Sequence, residues 1–359
     1  MATIFPKITD EYREKALNVP SGKIRLVIDT DAKNEVDDQF AVSWALKSKD
    51  RFDVEAVYAA PYSHDCIKFM FTGQAVGAAG VEYAENPGVG MEASYQELLK
   101  LYSLLGENSD GHVFRGSKEY ISSIGKPVES DAARDLIKRA MASDELLYVA
   151  AIGAPTNVAS ALLMEPELVK KIVVIWLGGQ PLYFPHGIEF NLMQDIEASR
   201  VLFNSGVPLV LIPCMNVASL LTITKPELEQ FMKGKNDISD YLSKIVLDAF
   251  EDPRAAGAAL MMPALMRRIN MAQREDRSDE YLSQYQSHHN AWSRIIWDIS
   301  TIAFLKDPNW TPSTLEFSPV LNNDLTWGLK DESRHKIRVV NYCWRDLIFG
   351  DMIACLTQK

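Results

Sequence analysis

The stretch Val27-Ile28-Asp29-Thr30-Asp31-Ala32-Lys33-Asn34-Glu35-Val36-Asp37-Asp38 carries five carboxylates in the ten residues from Asp29 to Asp38. It follows an apolar run, residues 24–28, and precedes a segment in which Phe40, Ala41, Trp44 and Ala45 recur at helical spacing. The reading is a strand buried on both faces, an acidic loop and a helix. Like charges this close repel, and burial makes each ionised form costly. Helix capping accounts for Glu35, Asp37 or Asp38, because the positive end of the helix dipole favours acids. It does not account for Asp29 and Asp31 at the end of an apolar strand. A hard divalent cation does, since it gathers several oxygens and offsets their repulsion.

Outward from this loop, residues 54–60, 146–152, 172–177 and 207–212 form further short apolar runs. Between them, Ala133, Leu136, Ile137 and Ala140 repeat at three and four, as Val158, Ala161, Leu162 and Leu168 nearly do. Alternating strands and helices, with runs too apolar for one-sided sheets, predict an α/β fold: a mostly parallel open sheet with helices on both faces and a Rossmann-like core. In such sheets ligands sit beyond the carboxyl ends of the strands. After Ile223 the pattern predicts helical elaborations over 225–233, 239–250 and 295–305, an exposed charged segment over 274–280, a strand over 336–342 and a closing helix over 346–356. Without a repeat or a Gly/Ser linker, one domain over residues 1–359 is expected.

The 359 residues are 47% apolar and 24% charged, and 37 Lys plus Arg against 48 Asp plus Glu give a net charge of −11. An acidic surface argues against a general nucleic-acid binder. No run reaches the roughly 18 to 20 apolar residues of a membrane span, and residues 1–23 lack the apolar centre of a secretory signal. Cys66, Cys214, Cys343 and Cys355 lie far apart and read as reduced thiols, which with the rest predicts a cytoplasmic protein. Gly111 to Lys118 nearly mimics a phosphate loop but has Ser117 and Lys118 in the wrong order.

The acidic loop resembles the Asp-Thr-Asp-Pro-Gly-x-Asp-Asp signature of the inosine-uridine preferring nucleoside hydrolases, with two extra residues and without Pro-Gly. Gly153-Ala154-Pro155-Thr156-Asn157, with Glu165-Pro166-Glu167-Leu168 after it, is similar to that family's Gly-Pro-Leu-Thr-Asn block. Leu177-Gly178-Gly179 resembles its Met-Gly-Gly turn, and Glu189-Phe190-Asn191 with Asp195 and Ala198 its Glu-Phe-Asn block. Ile296-Trp297-Asp298 stands where the family usually has His-Asp. The blocks follow the family's order over most of the chain. The altered first loop and Met91 to Tyr95, after a longer insertion, mark a divergent branch.

What the resemblance implies is a calcium-dependent hydrolase of a small ribosyl compound, assembled as a homodimer or homotetramer. Asp31, Asp38, Asp298 and the carbonyl of Thr156 are implied calcium ligands, and Asp31 the base that deprotonates the attacking water. Taken alone, Asp298 reads as a helix N-cap before residues 299–305 rather than as a ligand; only its alignment with the other blocks reverses that. Asp37, Glu189 and Asn191 are implied ribose contacts that stabilise positive charge at the anomeric carbon. Asn34, in the lengthened loop, is a candidate substrate-binding residue that replaces what the family's Pro-Gly supplies. Asp29 is expected to hold the loop together or to support a metal ligand from behind. Trp297 cannot protonate a leaving base as a His can; it stacks on a base or sugar, or is core. Replacement donors are His186, in the loop before Glu189, then His64 and Tyr183. His64 falls near a position where relatives contact the sugar. His288 and His289 read as solvated.

Two other readings start from the same residues. A haloacid-dehalogenase-like phosphohydrolase would use Asp29 as nucleophile and Asp31 as acid, against which Lys33 stands. A sugar- or nucleoside-binding relative would keep the pocket without efficient chemistry.

Overall fold

The computed structural model describes residues 3–64, 84–251 and 293–358. The expectations at Cys66, residues 274–280, His288 and His289 lie outside the described residues. The strands are β1 Ile24–Thr30, β2 Phe52–Ala59, β3 Val113–Arg115, β4 Leu147–Ala151, β5 Ile172–Leu177, β6 Leu209–Ile212, β7 Thr222–Thr224, β8 Ser293–Ile295, β9 Ser313–Phe317 and β10 Lys336–Val340. The helices are α1 Asp10–Ala16, α2 Asp38–Lys47, α3 Pro87–Leu105, α4 Ile121–Ile124, α5 Asp131–Met141, α6 Thr156–Met164, α7 Phe190–Gln194, α8 Ile196–Asn204, α9 Lys225–Glu227, α10 Asp237–Glu251, α11 Ile299–Lys306 and α12 Arg345–Thr357.

Eight strands make one sheet in the order β3-β2-β1-β4-β5-β6-β10-β9, parallel throughout except for β9 against β10. Successive strand side chains point to opposite faces, and here both faces are covered. Ile24, Leu26 and Ile28 of β1 join a core with Phe40 and Trp44 of α2, Leu98 of α3, Ile302 of α11 and Met352 of α12. Val27 points the other way, into a core with Leu136 of α5, Leu162 of α6 and Phe203 of α8. This is the α/β sheet that the apolar runs predict.

From β1 the chain steps outward through β2 to β3, then returns to the other flank of β1 with β4 and continues to β5 and β6. The strand order therefore reverses between β1 and β4, which opens a crevice at their carboxyl ends. Asp29 is still inside the sheet there, its carbonyl accepting from Ile152 N at 2.8 Å. The acidic loop leaves at this crevice.

Three expectations are corrected. Residues 225–233 are not one helix: α9 is a single turn with a Thr224/Glu227 capping box, followed by a wider turn over Leu228–Met232. Ile295 belongs to β8, which pairs with β7, and α11 begins only at Ile299. Periodicity misses this because a three-residue strand is shorter than one helical repeat. The strand over 336–342 stops at Val340. The structure also adds β3, β9, α1 and the long helix α3, which the apolar pattern did not separate from their surroundings.

Among the described residues no helix is long and apolar enough to cross a membrane. Cys214, Cys343 and Cys355 are unbridged.

Candidate active site

Asp31 and Asp38 stand at the two ends of the loop between β1 and α2, both about 2% exposed. Asp298 arrives from the turn between β8 and α11. Carboxylate oxygens of Asp37, Asp38 and Asp298 lie within 4.8 Å of one another, a grouping able to hold a metal ion. Asp38 Oδ1 accepts from Thr30 Oγ1, and the carboxyl groups of Asp38 and Asp298 belong to the same close group. Ionised carboxylates this close repel, so without a cation the cluster needs protons to hold together.

The alternative of simple helix caps is tested directly. Asp37 is the N-cap residue of α2 and Asp298 that of α11, yet neither side chain makes a capping hydrogen bond. Each forgoes about 1 kcal/mol that an N-cap acid normally contributes. Both turn instead toward other acids.

The electrostatics follow from this packing. Burial pushes the Asp31 carboxyl well above its usual range, and Asp38 and Asp37 push it further. Burial also raises Asp298, with Asp37, Asp38 and Asp31 adding to it. Asp37 is raised by burial, then by Glu35 and Asp38, against the pull of Arg294. Asp38 is raised by burial to about 7 even though the bond from Thr30 opposes it. Asp31 Oδ2 is buried and meets no hydrogen-bond donor among the described residues. Gly153, just beyond β4, lies against this carboxyl: a Cβ there would stand 3.1 Å from Asp31 Cγ and Oδ1. Orphaned buried oxygen, an all-oxygen donor set and several acids in one place suit a hard divalent cation.

Asp29 sits behind the cluster. Its Oδ1 accepts from Asn157 Nδ2 at 2.8 Å, and Oδ2 is buried without a donor among the described residues. Burial raises its carboxyl to about 7, with the Asn157 bond opposing. Asn157 Oδ1 in turn accepts from Ser117 N at 2.7 Å. Gly116 allows this approach, since a Cβ there would collide with Ala59 O and Asn157 Nδ2. The Gly111–Lys118 segment is thus a prop for Asn157.

Asn34 N closes a turn on Asp31 O at 2.7 Å inside the loop. Thr156 opens α6, and its Oγ1 donates to Asp195 Oδ2 at 2.8 Å. Glu189 caps α7: Oε1 accepts from Asn191 N, and Oε2 from Gly179 N and Leu192 N. Burial still raises its carboxyl to about 7. Asn191 donates its Nδ2 to Leu177 O at 3.0 Å, which leaves its Oδ1 as the acceptor end. His64, 3% exposed, packs between the rings of Tyr62 and Phe190, and its Nδ1 accepts from Ala84 N. His186 forms a bridge with Thr326 and lies within electrostatic reach of the exposed Asp324. Trp297 packs on the core of α2 and α11.

Three groups were not foreseen as functional: Thr30, which bonds Asp38; Arg294, 2.9 Å from Glu35 Oε2; and Asp195, which accepts from Ile121 N, Ser122 N, Ser122 Oγ, Thr156 Oγ1 and Ala198 N. Asp195 belongs to a recognised block, but nothing in the sequence pairs Arg294 with Glu35 across 259 residues.

A family model described as inosine-uridine preferring nucleoside hydrolase matches residues 26–340. A putative pyrimidine-specific ribonucleoside hydrolase RihB of Shigella boydii serotype 4 (strain Sb227) is 38% identical over 107 residues, 29% of this chain. That match spans only 41% of the relative's own length. A probable uridine nucleosidase 2 of Arabidopsis thaliana is 25% identical over 239 residues, 64% of this chain and 70% of the relative. The solved purine-preferring ribonucleoside hydrolase from Gardnerella vaginalis shares the fold, with TM-score 0.63 at 16% identity over 93% of this chain and 98% of that one. Running from β1, the strand that delivers Asp29, to the end of β10, the match shows that this chain belongs to the inosine-uridine preferring nucleoside hydrolase family.

Proposed function

We propose that the protein hydrolyses the N-glycosidic bond of a ribonucleoside or a related ribosyl compound, with calcium held at the acidic loop. The observation that carries this reading is the convergence of Asp37, Asp38 and Asp298 at the sheet's switch point, beside the unpartnered Asp31 Oδ2. Asp31, Asp38, Asp298 and the Thr156 carbonyl are the ligands we assign. When bound, calcium offsets the carboxylate repulsion, accepts ribose hydroxyls and acidifies a water.

The chain's own residues do the rest. Asp31 Oδ2 takes the proton of the attacking water, a role open to a buried carboxylate without a competing donor. Asp37 and Asn191, with Asn34 and His64, hold the ribose hydroxyls. Their carboxylate and amide oxygens stabilise positive charge at the anomeric carbon more in the transition state than before it. Glu189 contributes through an oxygen that also caps α7, so it orients Asn191 as well as the sugar. Trp297 supplies no proton; His186 is the assigned donor to the leaving group. Asp29, locked by Asn157 within the sheet, does not suit the nucleophile of a phosphohydrolase. The substrate is a small molecule, taken up by a small homo-oligomer.

The test is a panel of purine and pyrimidine ribonucleosides incubated with the protein, with and without a chelator, reading released reducing sugar. Chelator-sensitive release is expected. Ribose binding by calorimetry without release from any nucleoside would instead identify a binding relative, the outcome that Trp297 in place of a proton donor favours.

A further inference from the structure

The loop from Asp31 to Asp37 contains neither Gly nor Pro that would define its turn, yet it must hold mutually repelling acids in register. Two ion pairs of opposite polarity leave it. Lys33 Nζ lies 3.6 Å from Glu97 Oε2 on α3, where the Glu97 side chain is 4% exposed. Glu35 Oε2 lies 2.9 Å from Arg294 on β8, whose side chain is 8% exposed. Both body-side partners are fixed. Glu97 Oε1 accepts from Tyr241 Oη of α10 and from Gln39 Nε2 at 3.4 Å. Gln39 also donates to Ala32 O at 2.6 Å and to Glu35 O at 3.3 Å, one carbonyl on each side of Lys33. Arg294 is held by the β7–β8 pairing opposite Ile223, four residues ahead of Asp298.

We propose that Glu97 and Arg294 are positioning residues that clamp the acidic loop from opposite sides, setting the spacing between Asp31 and the Asp37–Asp38–Asp298 group. Neither residue is among the cation ligands or ribose contacts assigned above. Each pair joins a buried body-side group to a part-exposed loop-side one, Lys33 at 28% and Glu35 at 35%, so it adds little to stability, whereas a partner that orients a ligand from behind typically changes metal affinity by about 10- to 100-fold when removed.

A clamp and a mere electrostatic field give opposite signatures. Through the field alone, Glu97→Gln or Glu35→Gln removes a negative charge and weakens calcium binding, whereas Arg294→Met or Lys33→Met removes a positive charge and tightens it. The clamp predicts that all four weaken it, by about tenfold or more at Glu97 and Arg294. The calcium arm rests on the function proposed above and is read by calorimetric titration with calcium alone. A second arm does not rest on it: hydrogen exchange of the peptide spanning residues 30–40 in the metal-free protein, expected to accelerate about tenfold in the variants. Lys33→Met and Glu35→Gln alter only the loop side, so they report even if a body-side variant fails to fold. Affinity changes of opposite sign, or unchanged exchange across the loop, would overturn the clamp. A wild-type chain that neither binds calcium nor releases ribose, with accelerated loop exchange in the variants, overturns the function and supports the clamp.

Discussion

Two pairs of acids occupy the same kind of place, the first turn of a helix at the carboxyl end of the sheet, and are treated in opposite ways. Glu189 and Asp195 open α7 and α8, and their carboxylates are met by backbone N–H groups. Asp195 further ties α4 and α6 to α8 through Ile121, Ser122 and Thr156. Asp37 and Asp298 open α2 and α11 with no capping bond and turn toward Asp38 instead. The first pair is satisfied by the protein itself. The second is satisfied only by protons or by a cation from outside, and that contrast separates acids whose charge the fold itself meets, Glu189 among them although we also assign it to the sugar, from acids left without donors.

The largest effect that sharpens this contrast is on turnover. Asp31→Asn should lower kcat/KM on a productive ribonucleoside by about 10³-fold or more, since it removes the proposed base and a proposed ligand together. The metal-free Asp31→Asn variant should at the same time be no less stable to urea than wild type, because a carboxyl that burial and its acidic neighbours already push up is replaced by a group of similar shape that carries no charge. A less stable variant would mean that Asp31 is architectural after all.

Asp195→Ala should act in reverse. Removing the acceptor of five hydrogen bonds orphans buried donors on α4, α6 and α8, for a destabilisation of roughly 3 kcal/mol. The urea midpoint should drop accordingly, while calcium still binds whatever fraction remains folded. If Asp195→Ala abolishes calcium binding in protein shown to be folded, the two pairs are not separate.

Calcium itself should widen the gap. At about 100 times its dissociation constant, a ligand that binds only the folded state stabilises it by about 2.7 kcal/mol, seen as a rise in Tm. That rise should vanish in Asp38→Asn and persist in Glu189→Gln.

The smallest effect concerns pH, where the acidic cluster and a buried histidine have opposite signs. The Asp38 carboxyl is raised to about 7 by burial, so the stability it contributes in metal-free protein is complete below about 4 and is lost as pH rises through about 7. His335 is lowered to about 4 by burial, with Arg13 and Arg334 beside it. Its contribution is complete above about 6.5 and is lost as pH falls through about 4. His335→Gln should therefore flatten only the acid limb of a urea-midpoint profile, and added calcium should flatten only the neutral one. An acid limb that survives His335→Gln unchanged would assign it elsewhere.

Much of the fold was legible in advance because parallel strands buried on both faces read as unbroken apolar runs. Residues 172–177 are strand β5 at both limits. The elements that escaped are short or edge-like, such as β8, whose strand character comes from pairing with β7 rather than from its own three residues. The acidic loop was legible as chemistry because five charges beside a buried strand conflict with burial. The fate of each acid was not, since Asp37 and Asp195 look alike as helix-opening aspartates until the donors around them are known.

Local order thus determined the sheet, the loop and the presence of a charge conflict, all of which depend on neighbours within a few residues. Tertiary structure decided which acids the protein satisfies by itself and which it leaves facing one another. It also decided which distant partners, Glu97 and Arg294, pair with Lys33 and Glu35 of the loop. The reason is physical: a carboxylate's state depends on the donors, charges and solvent within a few ångströms of it, and folding brings those from α3, β8 and α11, far away along the chain.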